Sequence, residues 1–400
     1  MNWEKTTIGE HCTVTSSKRF HLSDRSNSGV PFYCSKEIIQ KVKSEKIDSC
    51  DYISEEFYEE VARKYGVPQE NDLLVTTRGT IGIPYLYKKS DRFYFADGNL
   101  TWMKDFRSTL LPQYLYYWFL SHEGQRKIDS IAKGTAQKAV PIAGIKTLEM
   151  LLPPIETQRR IADILSTYDD LIENNRKQIK LLEEAAQRLY KEWFVDLRFP
   201  GHEHTKIVDG VPEGWRVTTL DEICSVRKEM LTPEKIDVDT PYIGLEHIPR
   251  KDICLSEWGS SSEISSNKFR YYEDDILFGK IRPYFHKVGF ALNNGVTSTD
   301  AIVLKSTEGL WSFLLMTASS SEFVSYTYQN CKEGAKMPRA DWKQMKSYPT
   351  IIADRAIQSA FEDQIYTITR KIKVLALQIN RLSEARDRLL PKLISGDVEV

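Results

Sequence analysis

The chain has 400 residues, of which 41% are hydrophobic and 28% are charged, a composition that is ordinary for a globular protein. No apolar run approaches the roughly 18 residues that a membrane-spanning helix needs, so a membrane protein is not expected. The formal net charge of −1 indicates that any contact with nucleic acid must depend on local basic patches.

The first segment, residues 1–152, is predicted to be a globular domain that mixes strands and helices. Short β-like runs favour strands and a compact aromatic stretch favours a helix, so the segment is predicted to be α+β. The aromatic helix is expected to belong to the core, because no basic residues are interleaved for base stacking. The strands are predicted at 73–77, 92–96 and 100–103, and the helix at 112–120.

The second segment, residues 153–200, is predicted to be a long helix that begins after Pro153 and Pro154. Two rows of mainly apolar side chains recur at intervals of seven residues, which is the repeat of a coiled coil. A helix of about 36 residues, at roughly 1.5 Å per residue, is near 54 Å long and can act as a spacer. The rows are Ile161, Tyr168, Asn175, Leu182 and Leu189, and Leu165, Ile172, Ile179, Ala186 and Trp193.

Residues 201–349 are predicted to be a second globular domain after a polar linker, and residues 350–400 a second long helix. The same heptad pattern returns in that helix, so the two helices are expected to pack on each other rather than to be separate core helices. Pro391 and Gly396 are expected to break the second helix near its end. The predicted coiled-coil seam consists of Ile161, Leu165, Tyr168, Ile172, Ile179, Leu182, Leu189, Phe361, Ile365, Ile368, Ile372, Leu375, Ile379, Leu382 and Leu389.

The two halves of the chain repeat each other. Residues 178–189 return at 378–389 with an offset of 200, and Gly134 falls opposite Gly334. Asn-Asp-Leu at 71–73 corresponds to Asp-Asp-Ile at 274–276 with an offset of 203, and Trp3 corresponds to Trp215 with an offset of 212. The changing offset places the divergence in loops, which carry specificity. A tandem duplication of this kind suits a target with two half-sites.

Two segments in each globular domain combine cations with glycine or short polar side chains, as phosphate and base contacts require. One follows the strand after the Asp pair, and the other precedes the long helix. A solvated surface is the alternative for any single cation. The candidate DNA-binding residues are Arg78, Thr80, Lys133, Thr135, Gln137, Lys138, Lys280, Arg282, Tyr284, Lys287, Lys336 and Arg339, and His286 lies beside Lys287.

Motifs for chemistry are missing from the sequence. The single Pro-Pro pair lacks the Asn or Asp of a methyltransferase motif, and the sequence around Gly279 and Lys280 fails the phosphate-binding loop pattern. Asp274, Asp275 and Lys280 superficially resemble a nuclease site, but the Asp pair is interpreted as a turn signal because Asn71 and Asp72 repeat it. No catalytic residue is therefore predicted.

Cysteine and histidine usage indicates the compartment. Six cysteines are scattered without C-x-x-C pairs, which predicts a reducing cytoplasm and argues against disulfides and a zinc cluster. The N-terminus is polar up to Glu10, so no signal peptide is expected. His202 and His204 flank Glu203 in the predicted linker and are interpreted as solvated loop residues, so no metal site is predicted.

The start of the first long helix, Leu-Pro-Pro-Ile-Glu-Thr-Gln-Arg-Arg-Ile at 152–161, resembles that of the specificity subunits of type I restriction-modification systems. The run Asp-Ile-Leu-Phe-Gly-Lys-Ile-Arg-Pro-Tyr at 275–284 is similar to the same family, and the resemblance covers essentially the whole chain. The second helix departs from the family pattern near 348–352, where the double proline and the Gln are expected to be missing.

This resemblance implies a tandem α+β repeat of two target-recognition domains, held apart by an antiparallel pair of helices. Each domain would recognise one half of a bipartite sequence in double-stranded DNA, and the helices would set the spacer and dock methyltransferase subunits. Two such subunits would methylate adenine with S-adenosylmethionine, and motor-nuclease subunits, where present, would use ATP and Mg²⁺. The chain itself would bind no cofactor and catalyse nothing.

Two other classes of function remain open at the level of sequence. A coiled-coil scaffold with two protein-binding heads agrees with the near-neutral net charge. The glycine and cation segments, and the divergence confined to the heads, favour a reader of an asymmetric DNA sequence instead. A stand-alone nuclease or methyltransferase ranks third, because the motifs for it are missing.

Overall fold

The computed structural model describes residues 3–43, 47–134, 138–331 and 336–400. The chain divides into two compact units, which are Met1–Asp170 with Ser383–Val400 (unit 1) and Leu171–Leu382 (unit 2). Both units contain parts of two long helices, α6 (Ile155–Tyr190) and α11 (Arg355–Ser395). The domain boundaries at 152, 200 and 349 stay predictions.

Unit 1 is built from short strands and helices between its N-terminus and α6. Its described strands are β1 (Glu4–Thr7), β2 (Thr13–Thr15), β3 (Val30–Tyr33), β4 (Asp51–Ile53), β5 (Leu73–Thr76), β6 (Pro84–Leu86), β7 (Tyr94–Phe95), β8 (Leu100–Lys104) and β9 (Glu149–Leu152). Its described short helices are α1 (Ser35–Val42), α2 (Glu55–Tyr65), α3 (Pro112–Leu120), α4 (His122–Ile131) and α5 (Ile142–Lys146).

The central sheet of unit 1 is antiparallel and has the order β2-β8-β5-β6. Leu73 and Val75 pack into one hydrophobic cluster, while Leu74 packs into another on the opposite face, because successive side chains of a strand alternate. Both faces are therefore covered, and β5 is buried along its whole length. The predicted strands in 73–77, 92–96 and 100–103 and the core helix at 112–120 are confirmed.

Unit 2 contains more strands than unit 1 among the residues that the structure describes. They are β10 (Ile207–Val208), β11 (Val211–Pro212), β12 (Arg216–Thr219), β13 (Cys224–Arg227), β14 (Met230–Leu231), β15 (Tyr242–Ile243), β16 (Cys254–Leu255), β17 (Lys268–Tyr271), β18 (Ile276–Gly279), β19 (Val288–Ala291), β20 (Gly295–Thr297), β21 (Ala301–Ser306) and β22 (Pro349–Ile352). The short helices are α7 (Leu220–Ile223), α8 (Trp311–Ala318), α9 (Ser321–Gln329) and α10 (Trp342–Met345).

The topology of unit 2 repeats that of unit 1. Its main sheet has the order β13-β21-β18-β19-β16, which matches β2-β8-β5-β6 with β16 added at the edge. In each unit a strand near the start pairs with the strand before the long helix, as β1 with β9 and β12 with β22. The parallel pair β15 and β20 corresponds to β3 and β7. The predicted tandem α+β repeat is confirmed.

The long helices run antiparallel to each other within each unit. In unit 2 the Asn175 amide lies 3.4 Å from the Gln378 oxygen, and farther along α6 the ring of Tyr190 lies 6.4 Å from that of Phe361. In unit 1 the Arg386 guanidinium donates to Asp169 at 2.6 Å. The predicted antiparallel helix pair is confirmed, and every residue of the predicted seam is buried or half-buried.

The ends of the long helices differ from the predictions in two respects. Pro391 was expected to break α11, but the helix continues through it to Ser395. The reason is that Leu393 and Ile394 are buried in the core of unit 1, and this packing holds the last turn helical around the exposed proline. Gly396, with a φ of +78°, ends the helix as predicted. No helix in the described ranges combines the length and the apolar run that crossing a bilayer requires.

The expectation that the second helix lacks the Gln was wrong. Gln358 stands at the same offset of 200 from Gln158, and both side chains are buried at the start of their helices. Ala353 and Asp354 replace the two prolines that precede the Gln in the first helix, so the entry to the second helix keeps the Gln without the Pro-Pro pair.

Glu183 is a buried carboxyl group on α6 and predicts a pH-dependent stability for unit 2. Its side chain is 4% exposed, and Oε1 accepts a hydrogen bond from the Ile253 N–H at 2.9 Å. Burial, aided by the charge of Asp252, raises the pKa of Glu183 from 4.5 to about 8. The folded state therefore holds a proton that the unfolded state releases, so stability falls as pH rises from 4.5 to 8.

We expect Glu183→Gln to remove this loss of stability, because the amide keeps an acceptor for Ile253 and carries no charge. The free energy of unfolding should gain on the order of 2 kcal/mol at pH 8 and little at pH 5, as measured by guanidinium titration. Glu184→Gln is the matched control, since that side chain is exposed on the same helix. Equal gains at both pH values would contradict the assignment.

Candidate nucleic-acid interface

In unit 1 the two cation-bearing segments lie side by side. The turn 77–83 joins β5 to β6, and residues 133–134 and 138–140 precede α5 in the chain. The Gly79 N–H donates to the Lys138 carbonyl at 3.2 Å, and the Val140 N–H donates to the Thr77 carbonyl at 2.9 Å. Loop pair 1, as we call these two segments, is thus a single surface built from residues about 60 positions apart.

Unit 2 contains the same construction in loop pair 2, which consists of the turn 280–287 and residues 336–340. The Arg282 N–H donates to the Pro338 carbonyl at 2.8 Å, and the Ala340 N–H donates to the Lys280 carbonyl at 2.9 Å. These bonds are the counterparts of those in loop pair 1, at offsets of 203 in the turn and 200 in the second segment. Thr135 and Gln137 lie outside the described residues, as do positions 332–335.

The hydrogen bonds define which residues of the two turns are equivalent. The cationic side chains of the two turns do not occupy equivalent positions. Arg78 lies opposite Ala139, whereas Ile281 lies opposite Arg339. Arg78 is therefore equivalent to Ile281, and Arg282 is equivalent to Gly79. The two predicted segments recur in both units, but their charged side chains occupy different positions within the loop pair.

Loop pair 1 exposes most of its predicted side chains. Arg78, Thr80 and Lys133 are exposed to solvent, so their donors can reach a ligand. Lys138 is also exposed, and its ammonium forms an ion pair of 3.0 Å with Asp129 at the end of α4. Both partners of that pair are solvated, so the ion pair contributes little and can exchange for a phosphate.

Loop pair 2 is more heavily engaged with its own unit. The Lys280 ammonium donates to the Thr299 carbonyl at 2.7 Å, and that of Lys287 donates to the Leu245 carbonyl. Burial lowers the pKa of both lysines. Arg339 forms an ion pair of 3.4 Å with Asp300 but remains largely exposed, and Lys336 is exposed. Lys336 and Arg339 are thus the most exposed cations of this surface, whereas Arg282 is half-buried.

Aromatic side chains add to loop pair 2. Tyr284 is exposed at the tip of the turn, with its ring centroid 5.2 Å from that of the exposed Tyr328 on α9. The ring of Phe285 lies near two guanidinium groups, 4.1 Å from that of Arg250 and 5.8 Å from that of Arg282. Tyr328 and Arg250 were missed by sequence reasoning, because they come from elements more than 30 positions away and carry no local signal.

His286 differs from the cations around it because its side chain is buried. Its Nε2 lies 2.7 Å from the Ser319 carbonyl, so this nitrogen carries the proton and donates. Burial lowers the pKa of His286, which favours the neutral ring. His286 therefore fixes the turn against the connection between α8 and α9 and is not available to a ligand.

Asp274 and Asp275, and their counterparts Asn71 and Asp72, form a turn in front of the central strand of each unit, as predicted. Asn71 and Asp274 both have a positive φ, at 72° and 68°. The next residue in each unit is buried, with Asp72 accepting from the Gln69 N–H at 2.9 Å and Asp275 from the Tyr272 N–H at 2.8 Å. The described ranges contain no group of three or more His, Cys, Asp or Glu side chains placed to hold a metal ion.

Comparisons with known proteins agree with this fold. Residues 1–184 match the family described as the type I restriction modification DNA specificity domain. The chain is 26% identical over 351 residues to the type I restriction enzyme MjaIX specificity subunit of Methanocaldococcus jannaschii, covering 82% of this chain and 78% of that protein. It is 24% identical over 359 residues to the HindI specificity subunit of Haemophilus influenzae, covering 72% and 78%. The fold is similar to the crystal structure of a type I S subunit from M. genitalium, with a TM-score of 0.61, 16% identity and coverage of 98% and 96%.

Proposed function

Because the chain belongs to the type I restriction-modification specificity subunits, we propose that each of its two units recognises one half of a bipartite sequence in double-stranded DNA. The surface that makes the contact in each unit is its loop pair. The chain carries no catalytic residue and binds no cofactor, while methyltransferase subunits supply S-adenosylmethionine chemistry. Motor-nuclease subunits, where present, supply the ATP- and Mg²⁺-dependent steps.

The observation that carries this proposal is the loop pair itself. Two separate segments with cations are joined in each unit by equivalent backbone hydrogen bonds, such as Val140 to Thr77 and Ala340 to Lys280. A duplicated backbone that presents different side chains suits a protein that recognises two different half-sites. A scaffold with two protein-binding heads gives no reason for cations to collect on the same loops in both.

The local charge agrees with a DNA contact even though the net charge is −1. Exposed cations such as Arg78, Lys133 and Lys336 lie on the loop pairs, and acidic side chains nearby, such as Asp129 and Asp300, are engaged by Lys138 and Arg339. Binding is expected to weaken steeply with salt, since the phosphate contacts release counterions.

The paired helices are proposed to set the unread spacer between the half-sites and to dock the methyltransferase subunits. Helix α6 has 36 residues, which corresponds to about 54 Å. Its seam is used for packing, but Leu171 and Leu181 point away from the seam and are exposed. Exposed leucines on a long helix are suited to contact another subunit.

The experiment that tests the proposed function is co-expression with the candidate methyltransferase partner in a host that lacks DNA methylation. Modified adenines are then mapped across the genome by long-read sequencing. Two short defined sequences around a fixed unspecified gap would support the proposal and identify the target. A stable complex without sequence-specific methylation would favour the scaffold instead.

For unit 1, we expect Arg78→Ala to relax one half-site of that motif. Arg78 is exposed on loop pair 1, so its removal costs contacts with DNA but no packing. The rate of methylation at the wild-type sequence should fall about tenfold, with the melting temperature and the assembly unchanged. Lys89→Ala is the matched control, because this exposed cation lies beyond the other end of the hairpin formed by β5 and β6. Equal effects of the two substitutions would argue against a contact at loop pair 1.

A further inference from the structure

The turns of the two loop pairs share two left-handed positions but fill them differently. In unit 1 both are glycines, Gly79 with a φ of +78° and Gly82 with +81°. In unit 2 they are Arg282 with a φ of +50° and His286 with +55°, with one additional residue between them. Left-handed backbone strains any residue that carries a Cβ, so unit 2 retains two strained side chains where unit 1 has none.

The strain at His286 has a structural explanation. Its ring donates to the Ser319 carbonyl, whose equivalent in unit 1 is the Phe119 carbonyl. In unit 1 that carbonyl accepts a hydrogen bond of 2.6 Å from Gln125 on α4, which also donates to the Gly82 carbonyl at 2.7 Å. Both units therefore anchor the turn to the same connection between two helices. In unit 2 the donor is His286 of the turn, and in unit 1 it is Gln125 of α4.

Arg282 has no such explanation within its own unit. Its backbone N–H donates to Pro338, but Gly79 makes the equivalent bond to Lys138 without a side chain. Its Nε is buried and has no hydrogen-bond partner among the described residues. Apart from the ring of Phe285 beneath its guanidinium, the structure gives this side chain no internal role.

We propose that Arg282 reads a guanine in the half-site recognised by unit 2, an inference that rests on the proposed function. The planar guanidinium can donate to O6 and N7 of guanine together, which is the commonest specific contact of arginine with DNA. Strain that the packing does not repay is typical of a functional residue. The ring of Phe285 lies beside the guanidinium of Arg282, with 5.8 Å between them, and it also lies 4.1 Å from the guanidinium of Arg250.

Unit 1 lacks this contact, because Gly79 occupies the equivalent position. The space there is open, since a Cβ on Gly79 would meet nothing within 4 Å. The cation of the turn in unit 1 is Arg78, which lies one residue before Gly79 and is equivalent to Ile281. The two units thus use different positions of the same turn, so their half-sites differ.

The test uses the complex of the full chain with its methyltransferase partner and double-stranded oligonucleotides that carry the wild-type motif. Each defined position of both halves is varied through the four base pairs, and methylation rates are measured for wild type and Arg282→Gly. We expect the variant to lose selection at one guanine position only, with the rate on the guanine substrate lowered about tenfold to hundredfold. Its melting temperature should be no lower than that of wild type, because glycine relieves the strain.

Arg282→Lys separates a base contact from a phosphate contact. Lysine keeps the charge but loses the planar fork, so it should lose most of the selection for guanine, whereas a phosphate contact would survive. An equal fall in all rates with Arg282→Gly, an unchanged profile, loss of selection at a position without guanine, or a lower melting temperature would each overturn the inference. Failure of the proposed function is distinct, since the wild-type complex would then show no sequence preference.

Discussion

Phe361→Ala is expected to lower the free energy of unfolding of unit 2 by about 3–5 kcal/mol. Phe361 lies in the second turn of α11, is 0% exposed, and belongs to both the coiled-coil seam and the core of the unit. Its ring centroid lies 5.8 Å from that of Trp193 and 4.8 Å from that of Phe194, which belong to the π-helical turn after α6. Removing the ring leaves a cavity that these side chains cannot fill without moving, because the interior is close-packed.

The free energy of unfolding is measured by guanidinium titration followed by tryptophan fluorescence, since Trp193 reports on the same cluster. Leu181→Ala is the matched control, because it removes a large apolar side chain that is 65% exposed on α6 and should cost less than about 0.5 kcal/mol. Similar losses for the two substitutions would show that α11 does not depend on this cluster for its packing.

The seam that contains Phe361 could be predicted from the sequence because helical packing is encoded locally. A repeat of seven fixes which side chains share a face, and every predicted seam residue is at least half-buried in the structure. Asn175 follows the same rule as a polar member of the row, with its amide near Gln378 on the other helix. The antiparallel direction does not follow from the repeat and came from the family resemblance.

The candidate site could be predicted only in part. The sequence indicated both segments of each loop pair, but their contact depends on hydrogen bonds between residues such as Gly79 and Lys138, which no local pattern encodes. The sequence also does not show which cationic side chains are free to contact a ligand. Lys280 and Lys287 are as basic in sequence as Arg78, yet their ammonium groups are bound to carbonyls of their own unit.

Pro391 shows the same limit of sequence prediction at the end of a helix. Pro391 is a helix breaker by local preference, but Leu393 and Ile394 beyond it are buried, and their packing outweighs the lost hydrogen bond. Tertiary contacts decide where such a helix ends, whereas the heptad repeat decides only that it exists.

Gln158→Leu is the second substitution with a large expected effect, a loss of about 3 kcal/mol from the stability of unit 1. Gln158 is 0% exposed, and its Oε1 accepts from the Leu111 N–H at 2.9 Å at the start of α3. Its amide donates to the carbonyls of Thr109 and Pro153, each at 2.9 Å. Leucine fills a similar volume but leaves these buried backbone groups unpaired, and each such group costs about 1 kcal/mol or more.

Gln358→Leu is the matched control, because the equivalent glutamine has a different set of contacts. It is 7% exposed and donates once, to Glu362 at 3.2 Å, while its Oε1 has no partner among the described residues. Replacing it should cost about 1 kcal/mol or less, since one hydrogen bond is lost and one unpaired oxygen is removed.

The difference between the glutamines follows from the helices that they face. Helix α3 begins with Pro112, which has no N–H, so one acceptor for Leu111 suffices. Helix α8 has Ser312 at the equivalent position, and its N–H and that of Phe313 both donate to Glu362, at 2.7 Å and 2.9 Å. Unit 2 therefore transfers the capping role from the glutamine to a carboxylate one turn later. Equal losses for Gln158→Leu and Gln358→Leu in thermal unfolding would show that this transfer has no energetic consequence.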